Sequence, residues 1–450
     1  MSLSNPHARL GGQTLIEILI SLALFSILSH ALFTLVTSSY SISTYNRART
    51  VAKHLAQEKM EEIRNMPYDS IGTVGGIPSG TILQTETVPI NSLNYIVKTS
   101  VIYIDDSFDL QAPEDLLPTD YKRVRIDISW VGLAASGKNP VTLITDISPV
   151  GIETTTGGGT LSVLVFDANA VPLSQADVTI TASTTIPQIN LTLQTDVYGR
   201  VILPGAPPCS TPCYQISVTK TGYSTDRTYS TTEVVNPAKP FMTVLVGQLS
   251  EASFAIDKIS TLNVYSYKDR ESNFETLPNI TFDIRGDKTI GTDADDNPVY
   301  KYEDTFSTGS SGHVLIPDLE WDNYLISISP STGWDISGAN PLIPINILPE
   351  TDFNLKFSLS THTADSVLVS FTSPSEQQIA SVSARLYDDS GFEATASSGI
   401  SPNPDFGQVF FSNLTTNIYH LTATASGYLN FNGNVDVAGY KQENVIMTPN

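Results

Sequence analysis

The chain has 450 residues and carries 24 Lys plus Arg against 46 Asp plus Glu, a net charge of -22. So acidic a balance argues against nucleic-acid binding and against docking on anionic lipid through a basic patch. The length suggests about three domains at ~150 residues each, or more if they are small β domains. Only two cysteines occur, Cys209 and Cys213, which is compatible with an oxidising compartment.

Near the N-terminus, Arg9 precedes Gly11-Gly12-Gln13-Thr14-Leu15-Ile16-Glu17, and an apolar run continues to Val36. About 22 residues at ~1.5 Å each are enough to cross a ~30 Å hydrocarbon core. Arg9 ahead of that run places the N-terminus in the cytoplasm and the bulk of the chain outside. Glu17 is a lone carboxylate at the start of the run. Charge there is costly, so the position is expected to serve a function and to need a partner.

This stretch resembles the leader of a type IV prepilin or pseudopilin. The resemblance implies that a prepilin peptidase cuts after Gly12 and that Gln13 becomes an N-methylated N-terminus. It also implies that Glu17, fifth in the mature chain, pairs with the terminal amine of a neighbouring subunit. Each of those charges is unwelcome in lipid, and pairing offsets the cost. Gln13 departs from the family, which more often has Phe or Met there. An ordinary secretory signal has a shorter apolar region, of ~7–15 residues, and a small-residue cleavage site. Neither it nor an ordinary anchor accounts for Gly12 and Glu17 together.

Residues 13–66 contain no Gly or Pro and read as one long helix stopped by Pro67, roughly 80 Å long. Its segment 13–36 is the membrane or filament part. Further on, Ala48, Val51, Ala52, Leu55, Ala56, Met60 and Ile63 recur at helical spacing, with the charges mostly off that stripe, so this half is expected to pack on a headgroup. Residues 67–153 supply that headgroup. Leu93 to Ile104 and Val141 to Ile147 read as strands, and Val124, Ile126, Ile128 and Trp130 alternate with polar residues. The run from His54 to Ile71 and the Trp-ending strand resemble minor pilins and type II secretion pseudopilins.

Thr154 to Gly159 reads as a flexible linker. Beyond it the chain repeats: Gly199, Gly312 and Gly407 each open an apolar strand, each is followed by a run starting at Tyr214, Tyr324 or Tyr419, and each unit ends on Gly222-Tyr223, Gly333-Trp334 or Gly427-Tyr428. A period near one hundred residues indicates an array of domains. Their period-two strands indicate β-sandwiches over 160–250, 260–360 and 365–450, the second with an insertion around Asp287 to Asp304. These units resemble the carboxypeptidase regulatory-like (transthyretin-like) family. The expected fold class is thus an α+β pilin-like N-terminal part followed by three all-β sandwich domains.

Cys209 and Cys213 flank a short Pro-containing loop. A disulfide there is favoured over free thiols or a ligand pair. Asp293 to Asn297 can offer oxygens to Ca²⁺ but lacks the glycine and distal glutamate of an EF-hand, which favours a solvated acidic loop. Asp167, Asp196, Asp388 and Asp389 read as turn residues. The six histidines are scattered and no hydrolase, zincin or Walker motif occurs, so no enzyme, metal site or cofactor is expected. The expectation is a low-abundance or tip subunit of a type IV pilus or pseudopilus, held in the membrane by its N-terminal helix. Its partners would be other pilin subunits and the prepilin peptidase, and its sandwiches would serve spacing or adhesion to an extracellular glycan or protein. The alternative is a membrane-anchored surface binding protein that never enters a filament.

Overall fold

The computed structural model describes residues 15–104, 106, 120–131, 140–149 and 158–450, with side chains from Leu19 onward. Helix α1 spans Leu15–Arg64. It stops two residues short of the expected 66, where Asn65 and Met66 turn back on the carbonyls of Glu61 and Ile63 before Pro67. Four strands follow as an antiparallel meander: β1 (Thr85–Ile90), β2 (Leu93–Ile104), β3 (Tyr121–Val131) and β4 (Val141–Ile147). Strand β1 had no clear sequence signal. Val124, Ile126, Ile128 and Trp130 of β3 all point inward, onto Ala48, Ala52, Leu55, Ala56, Met60 and Ile63 of α1. Lys122 shares their phase and is buried as well. Its Nζ donates to the Tyr68 carbonyl at 2.9 Å and lies 4.3 Å from the centre of the Tyr68 ring.

The rest of the described chain forms three β units of common topology. In the first, β5 (Gly159–Phe166), β6 (Asp177–Ala182), β7 (Ile189–Gln194), β8 (Arg200–Ala206), β9 (Gln215–Thr219), β10 (Asp226–Arg227) and β12 (Leu249–Ala255) make two facing sheets, ordered β12-β5-β8 and β10-β9-β6-β7. Between β10 and β12 lies the two-residue β11 (Asn236–Pro237). The second unit comprises β13 (Ser260–Lys268), β14 (Thr281–Gly286), β15 (Thr289–Thr292), β16 (Pro298–Tyr300), β17 (Glu303–Ser307), β18 (His313–Leu319), β19 (Asp322–Ser327), β20 (Trp334–Asn340), β21 (Ile345–Ile347) and β22 (Asp352–Thr361). Its sheets run β18-β13-β22-β20 and β17-β14-β19-β21. The third has β23 (Ser366–Thr372), β24 (Ser383–Tyr387), β25 (Glu393–Ser397), β26 (Gln408–Phe411), β27 (Asn417–Thr424), β28 (Phe431–Val437) and β29 (Tyr440–Ile446), in sheets β26-β23-β29 and β25-β24-β27-β28.

In every unit the first strand lies between an antiparallel neighbour and the parallel last strand, so chain entry and exit share one sheet. The repeated residues have equivalent jobs. Gly199, Gly312 and Gly407 have φ of 72°, 65° and 67°, a region a side chain avoids. Their carbonyls accept the amides of Val165, Ser266 and Phe371 on the first strand. Tyr214, Tyr324 and Tyr419 are fully buried, and each hydroxyl donates to a carbonyl just upstream, on Pro207, Glu320 and Thr415, at 2.7, 2.7 and 3.0 Å. Each thus fills the core while its hydroxyl is satisfied at the edge. Tyr223, Trp334 and Tyr428 pack on their own unit's core.

One expectation needs correction. Gly158 and Gly159 are not linker: Gly159 begins β5 and is buried, and the Gly158 carbonyl accepts the Gly247 amide at 2.9 Å. The remainder of the expected linker, 154–157, lies outside the described residues. The insertion in the second unit is structured. Its strands β15 and β16 join β11 of the first unit in a separate sheet, ordered β11-β15-β16.

Candidate assembly surface on the N-terminal helix

Helix α1 runs 50 residues without a break. Hydroxyls along its first half are turned back onto the helix. Thr34, Thr37 and Thr44 donate to the carbonyls four residues earlier at 2.9, 3.0 and 2.8 Å, and Ser41 to Ser38 at 2.9 Å. Such hydroxyls present no unsatisfied polar group to an apolar surrounding. What this half presents instead is aliphatic and aromatic. Leu19, Leu22, Phe25, Ile27, Leu28, Leu32, Phe33, Leu35 and Tyr40 are each more than half exposed. One stretch of 18 residues has a mean hydropathy of 2.2, and no other described residue covers any of it. By length and composition the helix can cross a membrane.

Cover begins at Tyr45, whose ring stands 5.6 Å from that of Trp130. From Ala48 onward the inward stripe is sealed by the sheet, and the Tyr95 hydroxyl donates to the Ala48 carbonyl at 3.3 Å. Further down, the Lys59 ammonium pairs with Glu86 at 2.9 Å, and that hydrogen bond raises its pKa despite partial burial. The Arg64 guanidinium donates to Thr145 Oγ1 at 2.7 Å. The headgroup therefore grips only the second half of the helix.

Gly12 and Gln13 lie outside the described residues. Glu17 falls within α1, but its side chain is outside them too. Cys209 and Cys213 are bonded to each other, with Cα atoms 6.4 Å apart, and both sulfurs pack on the first unit's core. Among the described residues no group of three or more His, Cys, Asp or Glu could hold a metal ion. Asp293 is occupied by its own turn. Its carboxylate accepts the amides of Asp295 and Asn297 at 2.9 Å and the Asn297 side chain at 3.1 Å, and these bonds lower its pKa. Asp167, Asp196 and Asp388 accept amides two and four residues on in the same way.

A cleft of about 320 Å³ lies where the first two β units meet, lined by Tyr223, Lys288, Lys301, Tyr302, Glu320 and Asp322 among others. Both of its lysines pair with one carboxylate. Glu320 takes Lys288 at 2.8 Å and Lys301 at 2.5 Å. Burial nevertheless lowers the Lys288 pKa, against the pull of Glu320, and pushes the Tyr302 hydroxyl up to about 12. Both oxygens of Glu320 are thus engaged within the cleft.

Residues 9–33 match the prokaryotic N-terminal methylation motif. No curated protein matches the chain. Among solved structures, it is similar to the Bacillus anthracis TIE protein at 13% identity over 81% of this chain and 74% of that one, with a TM-score of 0.19. It is similar to a streptococcal ancillary pilin at 10% identity over 65% and 99%, TM-score 0.18. The Bacillus cereus major pilin subunit BcpA aligns at 10% identity over 65% and 100%, TM-score 0.16. At such scores nothing further is drawn from these three. The chain carries a methylation motif that leads into an apolar helix able to anchor it in a membrane, with a large β-rich body behind.

Proposed function

We propose that this protein is a pilin-type subunit, cut after Gly12, N-methylated at Gln13 and inserted through α1 into a type IV pilus or pseudopilus. The observation that carries the reading is the pairing of the motif over 9–33 with an apolar half-helix that no other described residue covers. An uncovered apolar surface of that length needs lipid before assembly and neighbouring helices after it. In this reading Glu17 meets the terminal amine of an adjacent subunit.

The body behind the helix is bulky for a subunit repeated along a thin filament, so the proposal extends to a low-abundance or tip position. The sandwich units, read as transthyretin-like domains, serve as spacers or present an adhesive surface to a glycan or protein. No catalysis, metal or cofactor is assigned. The competing reading is an anchored surface protein outside any filament.

Glu17→Ala separates the two. The filament reading predicts that the variant stays at parental level in the cytoplasmic membrane and disappears from sheared surface filaments. Recovery in those filaments at the parental level would contradict it.

A further inference from the structure

Units joined in series by linkers tumble independently unless their contact is extensive. Here three seams close by main-chain approach, and at two of them a residue of one unit is buried in its neighbour's core. At the first, the Asn190 amide donates to the Gly75 carbonyl at 2.7 Å, and the Gln84 side chain bridges the carbonyls of Val74 and Asn190 at 2.9 and 2.6 Å. Ile77, upstream of the headgroup sheet, is buried in the first β unit's core.

At the second seam the inserted hairpin pairs with β11, Asn236 against Thr292 and Pro237 against Gly291. The Ala238 amide adds a bond to the Ile290 carbonyl at 2.9 Å. Gly291 has φ of 150°, and a Cβ there would sit 2.2 Å from the Asn236 carbonyl oxygen of the other unit. The insertion is thus shaped to receive its neighbour's backbone.

The third seam is the most apolar. Leu368 of β23 is buried in the second unit's core, and Phe410 and Tyr440 pack on it. The Tyr440 hydroxyl donates to the Ile336 carbonyl at 3.0 Å, and the Gln408 side chain accepts the Ala339 amide at 2.6 Å. Arg270 donates to Asp405 at 2.7 Å and to the Ser397 carbonyl at 2.6 Å. Gly338 on β20 again admits the approach: a Cβ there would lie 2.6 Å from the Asp405 Cα.

We propose that the headgroup and the three β units are welded into one rigid body, with the inserted hairpin and Gly338 as the fittings that let neighbouring backbones lock. The last unit is then held at a fixed position relative to α1, and a pull on it is carried by the seams rather than absorbed by slack linkers. This goes beyond the pilin reading and does not depend on it.

The test uses the full chain in detergent micelles. Because Cys209 and Cys213 are bonded, Ser310→Cys and Asp389→Cys supply the only free thiols, one exposed on each of the last two units. Pulsed electron–electron double resonance between spin labels there is expected to give a single narrow distance distribution. A broad one, as from freely jointed units, would overturn the proposal. Adding Gly338→Val, a β-favouring residue whose side chain conflicts with the next unit, is expected to widen the distribution at least about two-fold with circular dichroism unchanged. Should that variant fail to fold, Arg270→Gln removes the seam's ion pair without touching a core, and a smaller widening is expected. An unchanged width in whichever variant folds would overturn the assignment of the lock to this seam.

Discussion

The two halves of α1 are one continuous helix with opposite surfaces. Between Leu19 and Tyr40 the large apolar side chains stand in the open; between Ala48 and Ile63 they are sealed under the sheet. Both halves are rich in apolar residues, but no Asp, Glu, Lys or Arg falls between Ile18 and Asn46, whereas Arg47 to Arg64 hold eight. The patterns differ accordingly. The first half is apolar all round, and the second confines its apolar residues to a stripe. A stripe can be satisfied by one sheet of the same chain, whereas an all-round apolar helix needs an apolar medium or several other helices. Half of this helix completes the fold, and half is left for lipid or other helices to cover.

The largest expected effect breaks the helix on its covered side. Leu55→Ala, at 4% exposure, should destabilise the headgroup by about 2–5 kcal/mol, read as a fall in its denaturation midpoint. Phe33→Ala on the open side removes a larger side chain and should move that midpoint by less than ~0.5 kcal/mol, while lowering filament recovery. Equal losses of stability at both sites would erase the distinction.

Much of this was legible because the signals are local. The stripe from Ala48 to Ile63 and the alternation in β3 show their period within a few residues, and Gly199, Gly312 and Gly407 stand out because each opens the same short local pattern in its own unit. Lys122 was also legible in phase, sitting two residues before Val124, but its charge argued for the outside. The seams were not legible. Asn236 and Pro237 form a strand two residues long that pairs more than fifty positions away, and neither propensity nor period marks it. Leu368 and Tyr440 read as ordinary residues of the third unit, since a sequence does not say which unit's core an apolar side chain enters. Gly291 and Gly338 gave no sign of their role, because the backbone that excludes a side chain there belongs to another unit.

A smaller effect sharpens the comparison within the β body. Tyr419→Phe keeps the ring in the third core and deletes its bond to the Thr415 carbonyl, costing about 0.5–1.5 kcal/mol in that unit's thermal unfolding. The same change at Tyr214 and Tyr324 should cost alike if the three units are equivalent.

The smallest effect concerns pH. Burial raises the Asp405 pKa above its ordinary 3.8, with Arg270 pulling the other way. A carboxyl with a raised folded-state pKa contributes stability that is full below 3.8 and is lost as pH rises through the folded value. Asp405→Asn should therefore leave the melting temperature at pH 7 unchanged or slightly higher, and flatten its change on the acidic side. A marked drop at pH 7 would show instead that pairing with Arg270 outweighs burial.

Processing and assembly of α1 would be read most directly by mass spectrometry of the N-terminal peptide from sheared surface filaments. The expected result is a peptide beginning at N-methylated Gln13. A chain that still begins at Met1 and is found only in membranes would contradict both and leave Glu17 without a partner.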